Sequence, residues 1–95
     1  MRITYYVYMI QCCNNTYYTG YTTDLERRYK EHTQGSDKCS YTRSFPPKKL
    51  VAYWCFDHKS DALKEEARIK KLSRENKIKL VEHYLFGLNF GSFSE

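Results

Sequence analysis

Proline is scarce in these 95 residues (two) and so is glycine (four), and no Pro/Gly/Ser-rich stretch, internal repeat or low-complexity segment divides them. One domain is therefore expected, with the working unit over 1–85 and a loosely held tail over 86–95. Long apolar runs are missing as well. Near the start only Val7 to Ile10 is continuous, with no small-residue cleavage site behind it, and nothing later approaches a membrane span. A cytoplasmic protein without membrane contact is the expectation. The four cysteines (Cys12, Cys13, Cys39 and Cys55) contain no CxxC pair, and two are adjacent, which suits neither a zinc ribbon nor a disulfide framework. Reduced thiols remain.

Acidic residues are also in deficit, eleven against sixteen Lys and Arg, for a formal charge of +5. Such a balance favours polyanionic partners, and the distribution sharpens it. From Arg27 to Lys49 seven basic residues face two acidic ones, and from Lys59 to Lys79 eight face four. What the chain has in abundance is aromatic: ten Tyr, five Phe and one Trp. In so short a chain many of these rings must serve the single modest core.

Ile3 to Cys12 and Tyr17 to Tyr21 are dense in β-branched and aromatic residues around the polar turn Cys13-Asn14-Asn15-Thr16, the pattern of a hairpin. Alternation sets Tyr6, Tyr8 and Ile10 on one face and Tyr5, Val7 and Met9 on the other. Thr23 and Glu26 have the spacing of a capping box, which predicts a helix to about Thr33. Thr33 to Lys49 loses periodicity around Gly35, Pro46 and Pro47 and reads as a basic loop. Leu50 to Phe56 reads as a buried strand. Ser60 is placed to cap a helix to about Leu72, and Ser73 to cap a last helix from Arg74 to about Leu85, with Ile78, Val81 and Leu85 inward.

Two charged positions fit this pattern poorly. At 100° per residue Leu25, Arg28, Tyr29 and His32 form one narrow stripe, so a guanidinium and an imidazole lie on the core-facing side of the first helix. On the next long helix Ala62, Leu63 and Ile69 bracket Glu66. A structural ion pair (Glu66 with Lys70 at i+4, for example) and a functional site both satisfy these patterns. If the strand face and both helices converge, two phenols (Tyr8, Tyr18), Arg28, His32 and Glu66 share one concave, solvent-reachable surface. That group suits phosphate-ester hydrolysis: a cation and a metal to take developing charge, a phenol or imidazole to move protons.

The run Tyr6-Val7-Tyr8, then Tyr18-Thr19-Gly20, then Tyr21 to His32 as YTTDLERRYKEH resembles the GIY-YIG nuclease superfamily, most closely its small bacterial single-domain branch. Tyr41-Thr42-Arg43 and Leu50-Val51-Ala52-Tyr53 are similar to the catalytic domain of structure-selective nucleases acting on branched DNA. The resemblance matches Tyr8 and Tyr18 to the two motif tyrosines, Gly20 to the closing glycine, Arg28 to the helix arginine, His32 to a histidine of some members, and Glu66 to the metal-binding glutamate. Tyr6, Val7 and Thr19 depart from the pattern at non-reacting positions. A late asparagine has two candidates, Asn76 and Asn89, and stays unassigned.

The resemblance implies an α+β fold with a small three-stranded antiparallel sheet flanked by helices in the order β-β-α-β-α-α. It implies a monomeric endonuclease that hydrolyses phosphodiester bonds with one divalent ion, Mg²⁺ or Mn²⁺, on Glu66, acting on branched or damaged DNA in repair. Nucleic acid is the expected partner, with DNA favoured over RNA, gripped through Lys38, Arg43, Lys48, Lys49, Lys70, Lys71 and Arg74. The alternative is a non-catalytic nucleic-acid-binding or interaction module on the same fold.

Overall fold

The computed structural model describes residues 2–35 and 40–91, with backbone alone for residues 40, 43 and 86–91. Strands β1 (Tyr5–Cys12) and β2 (Tyr17–Thr22) form the expected hairpin. Its turn closes through Asn15, which donates its N–H to the Cys12 carbonyl at 2.8 Å, while the Cys12 N–H donates to the Thr16 carbonyl at 2.8 Å. Asn15 sits at φ 64°, a left-handed conformation that asparagine tolerates better than most residues. Helix α1 (Leu25–Gln34), a one-turn helix α2 (Ser40–Ser44), strand β3 (Pro47–Phe56), α3 (Lys59–Lys70) and α4 (Arg74–Gly91) follow. The sheet is antiparallel throughout, in the order β2-β1-β3. This is the α+β architecture and chain order that the sequence predicts, with α2 added.

Helices pack on both faces of the central strand β1, and alternation sorts its side chains into two half-cores. Tyr8, Ile10 and Cys12 pack with Tyr18, Leu25, Tyr29 and Leu50 on the α1 side. Val7 and Met9 pack with Val51, Ala52, Ala62, Ile69 and Val81 on the side of α3 and α4. Each fully buried aliphatic side chain contributes on the order of 1.5–3 kcal/mol, so this double coverage is the main stabilising term for the hairpin.

Several local expectations shift. The N-cap of α1 is Asp24, not Thr23: its carboxylate accepts the Arg27 N–H at 3.1 Å, and the Thr22 hydroxyl accepts the Asp24 N–H at 3.0 Å. Glu26 turns outward to Lys30 instead of back to the cap. Helix α3 starts one residue before Ser60, behind His58, with no side-chain cap bond. Ser73 does accept the Asn76 N–H at 3.2 Å, as expected of a cap. Helix α4 continues past Leu85 to Gly91, and Leu63 and Leu85 are exposed while Leu80 and Tyr84 join the core. Strand β3 begins at Pro47; a proline is tolerated as the first residue of an edge strand, where no ladder N–H is lost.

Cys12, Cys13 and Cys55 are free thiols, and Cys39 lies outside the described residues. No helix among the described residues is long and apolar enough to cross a membrane.

Candidate active site

Tyr8 lies opposite Gly20 across the hairpin. A Cβ at position 20 would stand 2.6 Å from Cζ of the Tyr8 ring, closer than real contacts allow. The motif glycine is thus required for space: the hydroxyl end of the Tyr8 ring sits against the bare backbone of Gly20 and reaches His32 on α1.

At the end of that ring a line of polar atoms crosses the α1 half-core. Arg28 Nε donates to the Tyr8 hydroxyl at 3.3 Å, the Tyr8 hydroxyl shares a proton with His32 Nε2 at 2.8 Å, and His32 Nδ1 bonds the Thr42 hydroxyl at 2.7 Å. Arg28 Nη1 also donates to Glu31 at 3.0 Å, which answers its need for an anion within its own helix. Burial lowers the His32 pKa from 6.5 to about 4, helped by the positive charge of Arg28 and opposed by Glu31. His32 is therefore neutral near pH 7 and has one nitrogen free to accept. With Tyr8 donating to Nε2, Nδ1–H donates to Thr42, and every bond in the line is satisfied in one direction.

Tyr18 packs edge-on against His32, ring centroids 5.0 Å apart, and tilted against Tyr8 at 6.4 Å. Four of the five expected residues thus form one group. They do not share one open surface. Tyr8 and His32 are each 1% exposed, sealed beneath α1 and α2, whereas Tyr18 and Arg28 are only partly covered. Beside Arg28 opens a cavity of about 280 Å³ lined by Tyr21, Thr22, Thr23, Arg27, Arg28 and Glu31. Tyr21 belongs to the opposite half-core, so the cavity wraps the outer edge of β2.

Glu66 occupies the other layer. It lies between the buried Ala62 and Ile69, as its helical position predicts, and its side chain is 18% exposed. Its carboxylate is 3.2 Å from Lys70 one turn on. It is set apart from the Tyr8 group, because α3 and α1 pack on opposite faces of the sheet. On the same side Thr19 is buried, and its hydroxyl has no hydrogen-bond partner among the described residues.

Of the expected phosphate-binding residues, Lys48, Lys49, Lys71 and Arg74 are exposed, and Lys70 is engaged with Glu66. Lys38 lies outside the described residues and Arg43 is described by its backbone alone. Sequence reasoning missed Thr42, the buried partner of His32, and the cavity residues Arg27 and Glu31. Thr42 falls within the Tyr41-Thr42-Arg43 run, but a hydroxyl in a segment without periodicity carries no sign of where it points.

The model of the GIY-YIG catalytic domain family matches residues 4–79 of this chain. UPF0213 protein HQ_3675A of Haloquadratum walsbyi is 47% identical over 82 residues, covering 86% of this chain and 91% of that one. UPF0213 protein BH0048 of Halalkalibacterium halodurans is 44% identical over 79 residues, 83% of each chain. The solution NMR structure of the UPF0213 protein BH0048 from Bacillus halodurans superposes with a TM-score of 0.56 at 44% identity, covering 84% of both chains.

Proposed function

The chain belongs to the GIY-YIG family, and on that premise we propose that it is a metal-dependent endonuclease that hydrolyses phosphodiester bonds in DNA, with branched or damaged duplexes as substrates and repair as the setting. The observation that carries this reading is the hydrogen-bonded line Arg28–Tyr8–His32–Thr42 ending at the cavity beside β2.

Two guanidinium groups, Arg27 and Arg28, line that cavity, which suits a phosphate. Arg28 is held by Glu31 and Tyr8 in the free protein. A phosphate drawing it outward would weaken its bond to the Tyr8 oxygen and leave that oxygen able to accept a hydrogen bond from the attacking water, which orients the water without moving a proton. His32 fixes the direction of the Tyr8 hydroxyl. It does not store a proton, since burial holds its own pKa down to about 4. Tyr18, partly exposed and packed on His32 and Tyr8, orients the incoming group by its ring and hydroxyl.

Glu66 is the carboxylate that would hold the divalent ion. Among the described residues no three His, Cys, Asp or Glu side chains gather. A single carboxylate fits Mg²⁺ or Mn²⁺, which keep water and phosphate oxygens as further ligands, and does not fit a zinc site. When bound, the ion supplies Lewis-acid stabilisation of the charge that develops on the phosphate.

The test is cleavage of duplex, flap, junction and single-stranded DNA, with matched RNA, in Mg²⁺ or Mn²⁺, wild type beside Glu66→Ala. Metal-dependent cutting that disappears in the variant is expected. Equal cutting by Glu66→Ala, or none by folded wild type, overturns the assignment. One observation favours the second reading, a binding module without catalysis: the Glu66 carboxylate already closes on Lys70.

A further inference from the structure

A second cavity of about 280 Å³ lies at the other end of β2, lined by Thr16, Tyr17, Tyr41, Arg74 and Lys77. We propose that it is a nucleotide subsite receiving an unpaired base of a single-stranded segment that flanks the cleaved phosphodiester. The proposal rests on the nuclease reading for its setting, and it has its own support in three features of the cavity.

The first is an aromatic platform left uncovered. Tyr41 is 37% exposed and Phe45 39% exposed, with ring centroids 5.2 Å apart. Tyr41 stacks on Tyr18 of the candidate active site at 5.9 Å and 25°. The platform is therefore continuous with that site. The second is that its orientation is set in advance. The Tyr41 hydroxyl bonds the Thr16 hydroxyl, and Thr16 is tied by 2.7 Å to the Asn14 carboxamide in the hairpin turn. A ring fixed before binding loses little entropy when a base stacks on it.

The third is charge. Arg74 and Lys77 stand one turn apart on α4, and no acidic side chain among the described residues lines the cavity. Cations beside exposed rings match a base with its phosphate, because every base offers a π-face and every linkage a negative charge. A purely apolar partner would leave both cations desolvated.

The distance between the two cavities fits one strand of nucleic acid. Thr16 and Tyr17 begin β2 and Tyr21 and Thr22 end it. Five residue steps of strand span about 17 Å at roughly 3.3 Å each, about five stacked nucleotide steps at 3.4 Å, fewer if the strand is extended. A phosphate beside Arg28 and a base on Tyr41 can therefore belong to the same strand.

The experiment is equilibrium binding in EDTA, so that nothing is cut, of oligonucleotides carrying 2-aminopurine: single-stranded, duplex with a single-stranded overhang, and blunt duplex. Wild type should prefer the first two and quench the probe. Tyr41→Ala should weaken single-strand binding about tenfold or more and lose the quench, while Tyr41→Phe keeps the quench. Single-strand affinity unchanged in folded Tyr41→Ala, or a blunt duplex bound equally well by wild type, overturns the subsite. So does competition by a polyglutamate peptide as strong as by an oligonucleotide of equal charge. If Tyr41→Ala does not fold, the doubly reversed Arg74→Glu, Lys77→Glu protein decides: lost single-strand binding supports the subsite and retained binding refutes it. Quenching by a protein that cuts nothing removes the nuclease reading and leaves the subsite standing. Cutting without quenching does the reverse.

Discussion

Lowering the pH from 7 to 4 should destabilise this domain through His32 before most of its carboxylates are protonated. The imidazole is 1% exposed and its pKa is depressed to about 4 in the folded chain, from an ordinary 6.5. Between those values the unfolded chain binds the proton that the folded chain refuses, so stability falls as pH falls through this window. The full difference is about 2.5 units, or about 3 kcal/mol, and about 2 kcal/mol of it should already be lost at pH 5. Against a total of about 5–15 kcal/mol for a small domain that is a large effect.

The assay is urea denaturation from pH 7.5 to 4, wild type beside His32→Gln, which keeps polar atoms for Tyr8 and Thr42 but cannot titrate. Carboxylates such as Glu65, held below its ordinary range chiefly by its hydrogen bonds to Arg68, contribute to both proteins and cancel in the difference. The wild type should lose about 2 kcal/mol more than the variant between pH 7 and 5. Parallel curves, or an NMR titration that finds the His32 ring charging above pH 6, would refute a buried neutral imidazole.

Arg28→Ala should reduce turnover by two orders of magnitude or more and weaken DNA binding much less, because the guanidinium meets the phosphate most strongly as charge develops; equal losses in both would make it a binding residue only. Gly20→Ala should cost about 1–3 kcal/mol by driving a methyl into the Tyr8 ring, read by thermal or chemical unfolding; a neutral outcome would mean that the ring is not seated over Gly20. Thr19→Val should stabilise the domain by about 1 kcal/mol, since it replaces a buried hydroxyl that has no partner among the described residues by a methyl group of the same shape, and a destabilised variant would show that the hydroxyl is satisfied.

What was legible in the sequence is what local periodicity controls. Period two placed Tyr8 and Ile10 on one face of β1 and Val7 and Met9 on the other, and the two half-cores follow that division. Period 3.6 turned Arg28 and His32 toward the sheet and set Glu66 between Ala62 and Ile69. The i+4 spacing also foretold the Lys70 pair, so the same pattern carried both readings of Glu66. What was not legible depends on contacts distant in sequence. Residues 40–44 have no helical pattern of their own; Thr42 on His32 and Tyr41 on Tyr18 supply the tertiary contacts that a single isolated turn lacks. The depth of Tyr8 and His32 was hidden for the same reason, since α2 helps to cover them.

Tyr8, His32 and Thr42, each nearly inaccessible to solvent, put a hydroxyphenyl, an imidazole and a hydroxyl into a half-core that aliphatic and phenyl groups of similar volume could fill. Every such group must be hydrogen-bonded or it costs about 1–3 kcal/mol, and His32 adds a penalty that grows as the pH falls. Packing alone does not call for this line. Its outer end, however, holds the Arg28 guanidinium at the rim of the cavity, and its middle fixes the Tyr8 hydroxyl and the face that Tyr18 leans on. The residues that least resemble an ordinary core are therefore those that set the angles of the groups a phosphate would meet. On the far side of the sheet Glu66 is a carboxylate set between core residues, and between the two layers β2 presents its unpaired edge. On the nuclease reading, a substrate strand laid along that edge would meet Arg28 from one face and Glu66 of α3 from the other, so that two residues on opposite half-cores would serve one phosphodiester.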